Sequence, residues 1–305
     1  MLTMLATIYV TCFAFASLSF NVAQQQPLRY VDGYRSSCKF HQGGTFNLIV
    51  SAPHRGSLMP TDVPDRTQGG CRHPGKSCTW IYNDACVNDR RCTTTTVQDN
   101  LSDEFVENVA EELNIRYGLK PFVVIGKWHR KKVDFNREIN QATLNHPKAT
   151  SVYRSYHSNL QYAINQVKQL YGKGLLVDVH GQGKGKAPYS IEMTSKQLLV
   201  GLRQSNKSVL CQIEPNAFDD KHRSVQLWKK KQLGIVYPSM VHPKPGNRTF
   251  LEGGYITCNY ISKINAIQTE LPWSIRGGTY KLLNAKRYAR TLINYMRVNN
   301  LLKAK

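Results

Sequence analysis

The stretch Leu175-Leu176-Val177-Asp178-Val179-His180-Gly181 decides how this chain is read. An apolar run closes on an acid, one more apolar residue, a histidine and a glycine. That is the pattern of a buried parallel strand that delivers polar side chains to its carboxyl end, where open α/β sheets hold their ligands. Three other segments match it as partners: Ser51-Ala52-Pro53-His54-Arg55-Gly56, Val133-Asp134-Phe135-Asn136-Arg137 and Ala266-Ile267-Gln268-Thr269-Glu270-Leu271.

Outward from this strand, the chain alternates between the two secondary-structure periods. Residues 45–52 predict a strand stopped by Pro53, residues 121–126 a second, and residues 266–271 a last core strand ended by Pro272. Leu101, Phe105, Val109 and Leu113 recur every fourth residue, with Ser102 as a cap and Gly118 as a stop, which predicts a helix. Val152, Tyr156, Leu160, Ile164, Val167 and Leu170 predict another, closed by Gly172. Ala285, Tyr288, Ala289, Leu292 and Met296 mark a C-terminal helix. Residues 24–44 and 182–190 read as irregular, and residues 193–202 are ambiguous. Helices alternating with short apolar strands indicate an α/β fold: a mostly parallel or mixed central sheet flanked by helices. No internal repeat or low-complexity linker divides it, so residues 24–305 are expected to form a single domain.

The chain of 305 residues is long enough for a sizeable core, and its 41% hydrophobic content is that of a globular protein. Residues 1–23 differ: no charged residue, many Leu, Ala, Phe and Val, then small residues and Gln24-Gln25-Gln26-Pro27. This is the pattern of a secretory signal peptide cut near residues 19–23. No later segment is apolar enough to span a bilayer. Cysteine usage agrees with export. Beyond Cys12 there are seven, an odd number, which leaves at least one thiol without an intrachain partner. Cys71, Cys78, Cys86 and Cys92 are spaced unlike C-x-x-C zinc sites, and are read as disulfides stapling an insertion over residues 66–98. Sequons begin at Asn100, Asn206 and Asn247, consistent with a secreted glycoprotein.

Lys and Arg number 41 against 20 Asp and Glu, a net charge of +21. Such a field attracts anions of any kind, from a small acidic substrate to a glycosaminoglycan. The basic residues are scattered and no nucleic-acid motif accompanies them, so a specific nucleic-acid partner is not expected.

The candidate chemistry rests on histidines. A catalytic zinc takes three protein ligands from His, Glu or Asp and keeps one position open. His54 and His180 each lie at the end of a predicted strand, near a glycine, and strand ends on one edge of a parallel sheet converge. The other histidines lie in polar or loop-like surroundings, except His157, which falls inside a helix beside Tyr156.

Pro53-His54-Arg55-Gly56, Asp134-Phe135-Asn136-Arg137, Tyr156-His157, Asp178-Val179-His180-Gly181, Gly253-Gly254-Tyr255-Ile256 and Ala266-Ile267-Gln268-Thr269-Glu270-Leu271 occur in that order. The set resembles the N-formylglutamate amidohydrolase family, which is itself similar in fold to the zinc carboxypeptidases. The resemblance covers roughly residues 45–296. With the insertion and the expected export signal, the chain looks like a diverged, secreted relative.

The resemblance implies one zinc ion per chain, with His54 and His180 as ligands. In the carboxypeptidases the third ligand is a glutamate three residues after the first histidine; here that position is Ser57. A later acid must replace it. Asp99 is the choice, with Asp62, Asp65, Asp103 and Glu104 as alternatives. Glu270 matches the general acid/base. Arg137, with Asn136, matches a clamp for a substrate carboxylate. Arg130 is expected to stabilise an oxyanion, and Asp178 to orient a histidine. The function implied is hydrolysis of an amide next to a carboxylate-bearing residue, in an N-acyl amino acid or a peptide end. Two rival readings keep the fold without the chemistry: an inactive secreted binding protein, and a basic module for heparin-like polymers.

Overall fold

The computed structural model describes residues 25–66, 69–72, 78–82, 86, 90–182, 189–190, 236–237 and 254–305. The expected signal segment, the ambiguous residues 193–202, Cys211 and the sequons at Asn206 and Asn247 lie outside them.

The centre is a mixed sheet built on four parallel strands: β3 (Leu48–Ala52), β7 (Phe122–Gly126), β8 (Leu175–Gln182) and β11 (Asn265–Pro272). β7 and β8 both pair parallel with β3, and β11 pairs parallel with β8 along its whole length. On one side the sheet continues antiparallel through β2 (Cys38–His41) to β1 (Val31–Asp32). On the other side it continues through β9 (Tyr189–Ser190) to β10 (Val236–Tyr237). The segment expected to be irregular thus supplies two strands. Cys-Lys-Phe-His carries no apolar run to mark a strand, and its pairing with β7 comes from tertiary contact rather than local pattern.

Both faces of the four inner strands are covered, which is why they read as near-continuous apolar runs. Side chains alternate across a strand. Val50, Val177, Val179 and Ile267 face α1 (Ser102–Tyr117) and α6 (Lys281–Val298). Ile49, Leu176 and Ala266 face α3 (Pro147–Tyr171) and α4 (Tyr255–Tyr260). The α3 stripe of Val152, Tyr156, Leu160, Ile164 and Val167 is buried as the periodicity predicts, whereas Leu170, the last of the expected set, is exposed in the final turn, where Tyr171 is buried instead. The short α2 (Ile139–Thr143) and α5 (Trp273–Arg276) connect these layers.

The helix ends differ in one respect from expectation. Ser102 makes no side-chain cap on α1; the N-cap position is Leu101, in a left-handed conformation, and Asp103 and Glu104 complement the positive helix end. The C-terminal stop does lie at Gly118, whose φ of +65° suits a residue with no Cβ.

Within the insertion, β4 (Gly69–Arg72), β5 (Cys78–Tyr82) and β6 (Arg90–Arg91) form a separate three-stranded sheet in the order β5-β4-β6. Disulfides Cys71–Cys86 and Cys78–Cys92 staple it. So small a sheet buries little apolar surface, and cross-links supply what its core does not. Cys38 is a buried free thiol on β2, and burial pushes its pKa up.

No helix among the described residues is long and apolar enough to cross a membrane.

Leu176 is fully buried between the sheet and α3. Leu176→Ala is expected to destabilise the fold by about 2–5 kcal/mol, read from the shift in a denaturant midpoint.

Candidate metal centre

The parallel register carries the site. Ser51 on β3 pairs with Asp178 on β8, and Asp178 with Gln268 on β11; two residues further on, His180 pairs with Glu270. Because side chains alternate, Asp178 and His180 share the face of Leu176, and the apolar layer gives way to a polar one at the strand ends. His54 joins them from the turn after β3, where Pro53, lacking an N–H, stops the ladder. Asp99 is tied to that turn through its backbone N–H, which donates to the His54 carbonyl at 3.2 Å.

His54, Asp99 and His180 are all buried, and one ligand atom from each lies within 4.8 Å of the others. Asp99 Oδ2 is 3.3 Å from His54 Nδ1 and 3.0 Å from His180 Nδ1. The far nitrogen of each ring meets another buried carboxylate: His54 Nε2 is 2.7 Å from Asp134 Oδ1, and His180 Nε2 is 2.7 Å from Asp178 Oδ2. Each carboxylate is itself held. Ser51 Oγ donates to Asp178 Oδ1 at 2.6 Å, and Arg130 Nε donates to Asp134 Oδ2 at 2.8 Å. Arg66, also buried, reaches Asp134 Oδ2 at 3.7 Å.

Burial opposes charge on Asp99, Asp134 and His180, but their neighbours outweigh it. Burial raises the Asp99 carboxyl, yet the facing imidazoles of His54 and His180 bring it well below the usual carboxylate range. Burial likewise raises Asp134, and His54, Arg130 and Arg66 overcome it. For His180, burial disfavours the imidazolium, but Asp178, Asp99 and Glu270 push its pKa well above the ordinary value.

This donor set fits a divalent cation. Both rings have a carboxylate at each nitrogen. A doubly protonated ring can donate to both, whereas a neutral one donates to only one and offers the lone pair of the other, so a cation at Nδ1 would take the place of a proton there. His54 Nδ1, His180 Nδ1 and Asp99 Oδ2 would hold such a cation, leaving Nε2–H of each ring to donate to Asp134 or Asp178. Carboxylates behind metal-bound histidines fix tautomer and ring orientation in this way. Two nitrogens and one oxygen suit zinc, which binds such ligands and leaves a fourth position for water or substrate.

The structure brings Asp99 to the two histidines and none of the alternatives considered above. Asp62 pairs with Arg35 and Lys148, Asp65 with Lys132, and Glu104 with Lys281. Asp103 faces Arg55 at 3.9 Å. Asn100 is exposed while Asp99 is buried, so the adjacent sequon and a buried acid coexist.

Glu270 is half-buried beside His180, and its Oε1 accepts from Gln268 Nε2 at 2.9 Å. The other expected residues sit differently. Arg130 lies behind Asp134, with a second bond to the Val97 carbonyl. Asn136 is buried; its Oδ1 accepts from the Ile256 N–H at 2.8 Å and its Nδ2 is 3.2 Å from His180 Nε2. Arg137 is half-buried, with an Nη on the Asn136 carbonyl at 2.8 Å. His157 lies below the site, between the Phe135 carbonyl and the Tyr260 hydroxyl, each at 2.9 Å.

Sequence reasoning gave no role to Asp134, Ser51, Gln268, Arg66 or Arg276. Asp134 was within reach, since it opens the segment containing Asn136 and Arg137. Arg66 and Arg276 carry no local signal, because a buried arginine in sequence looks like any surface charge.

No family model matches this chain, and no curated protein matches it. Among solved structures it is similar to an N-formylglutamate amidohydrolase from Ralstonia eutropha JMP134, at TM-score 0.45 and 13% identity over 87% of this chain and 98% of that one. It is also similar to gene product Atu2144 from Agrobacterium tumefaciens, at 0.45 and 10% over 87% and 94%. The third is the succinylglutamate desuccinylase from Chromobacterium violaceum, at 0.38 and 14% over 90% and 70%. The chemistry of the site rests on its own geometry.

Asp134→Asn is expected to weaken zinc binding by about 10–100-fold, measured by competition with a chromophoric chelator, while Asp62→Asn leaves it unchanged. A second expectation concerns acid stability. Burial lowers the His157 pKa to about 4, so below the unfolded value of about 6.5 the unfolded chain binds the proton first. Stability from this residue is present above pH ~6.5 and is lost as pH falls to about 4. In His157→Gln that part of the pH dependence of Tm should disappear.

Proposed function

We propose that this chain is a secreted zinc-dependent hydrolase that cleaves an amide bond next to a carboxylate-bearing residue, such as an N-formyl or N-acyl glutamate or a peptide end. The observation that carries this reading is the meeting of one ligand atom each from His54, Asp99 and His180 within 4.8 Å of one another, with Asp134 and Asp178 backing the two rings. The resemblance of the ordered motifs to those of N-formylglutamate amidohydrolases supports the reaction class.

In this reading His54, Asp99 and His180 hold the ion. Zinc held there supplies a Lewis acid that polarises the scissile carbonyl and acidifies a water molecule. Glu270, one strand across from His180, takes the proton of the attacking water and returns it to the leaving nitrogen. Gln268 holds Glu270 in place through its side-chain amide. Arg137 swings from the Asn136 carbonyl to grip the substrate carboxylate, the bidentate pairing that a guanidinium makes and an ammonium does not. Asn136 keeps His180 and the α4 N-terminus in register, and Arg130 acts through Asp134. Residues 1–23 are removed on export, and the two disulfides of the insertion suit an oxidising compartment.

Purified protein is expected to carry about one zinc per chain, lost in His54→Ala and His180→Ala. Glu270→Gln should retain the zinc and lose at least ~100-fold in turnover of N-formyl and N-acyl glutamates. Wild-type turnover in Glu270→Gln overturns its role. A chain that binds zinc but cleaves none of these amides is instead the binding protein on the same fold.

A further inference from the structure

Each of three site residues is followed by a residue that touches the same buried side chain. Arg276, 4% exposed, lies on α5 just after β11. One of its Nη atoms donates to the carbonyl of Asn100, the residue after Asp99. Its Nε donates at 3.1 Å to the carbonyl of Leu271, the residue after Glu270. Its guanidinium plane lies against Gly181, the residue after His180, where a Cβ would overlap the guanidinium carbon and two of its nitrogens.

We infer that Arg276 is the positioning residue that locks Asp99, His180 and Glu270 in their mutual arrangement. The inference rests on the metal-site reading for its consequence, but the lock itself is a property of the metal-free protein. The geometry suits arginine alone. A planar fork with several N–H groups can bond two carbonyls at once while its flat face packs on a third segment. It also accounts for Gly181. The backbone there is outside the left-handed region, so any residue could adopt it; what excludes a side chain is the guanidinium. The same cation sits in the field of Asp99 and Glu270, which offsets part of the cost of burying it.

Gly181→Ala and Arg276→Ala should therefore be two ways of making one lesion. In metal-free protein, hydrogen exchange read by mass spectrometry is expected to accelerate together, by at least ~10-fold, in the segments around residues 99–101, 180–182 and 270–272. Zinc affinity, by chelator competition on the folded fraction, is expected to fall by about 10–100-fold in each variant. The double variant should be no worse than the poorer single one within about twofold, because both changes remove the same contact. Arg276→Lys keeps the charge but not the fork, and should lose most of the affinity while retaining the fold. If Arg276→Ala does not fold, Gly181→Ala and Arg276→Lys decide. Faster exchange confined to residues 273–277, independent losses that add in the double variant, or zinc affinity within about twofold of wild type would each overturn the inference. Wild-type protein that binds no zinc overturns the proposed function instead, and the exchange data still decide whether Arg276 locks the three segments.

Discussion

Three buried aspartates, three buried arginines and two buried histidines lie together at the carboxyl edge of the sheet. Burying a charge is costly unless it is paired and hydrogen-bonded, and this constraint organises everything around it. Asp134 is shared between His54 and Arg130, Asp178 between His180 and Ser51, and Asp99 between both rings. None of these pairs is optional, because removing one member leaves the other charge in a place water does not reach. The apolar layers on both sheet faces supply the stability that lets so polar a cluster persist inside the fold.

The cluster is built so that its pieces hold one another at several removes. Behind each imidazole is a carboxylate, and behind each carboxylate a hydroxyl or a guanidinium. Arg66 illustrates the reach of this support: it bonds the carbonyls of Gln141, Thr95 and Arg130 while facing Asp134. It thereby connects the start of the disulfide-stapled insertion to the loop that carries Asp134. The insertion also leads directly into Asp99, which follows its last strand. A segment that looked like an appendage in the sequence therefore delivers the third member of the His-Asp-His group.

That delivery explains why the acid is so far from the first histidine along the chain. In a short metal motif, local helical or turn geometry sets the ligand spacing. Here Ser57 occupies the place where such an acid would sit, and Asp99 reaches the site through a backbone bond to His54 and a link from Ser102 N–H to its own carbonyl. The ligand triangle is thus a tertiary object. It depends on β3, on the end of the insertion and on β8 all ending at one edge.

Much of this was legible in the residues alone. The apolar runs named the four inner strands, and the four-residue spacing named α1, α3 and α6, because burial on one or both faces imposes a period on the chain. His54 and His180 could be picked out because a polar residue at the end of an apolar strand is a local pattern. The outer strands β1 and β2 could not be seen, since β2 is held by β7, distant in sequence, and β1 only by β2. The same holds for the roles of Asp134, Arg66 and Arg276. Hydrogen bonds and ion pairs between remote segments leave no periodicity behind. The sequence by itself determined the α/β layers and which strand ends carry polar groups; only the tertiary structure decided which acid meets the two histidines, which carboxylates hold them, and why the residue after His180 is glycine. The reason is physical: periodic burial is written locally along a chain, whereas the pairing of buried charges exists only once distant segments have met.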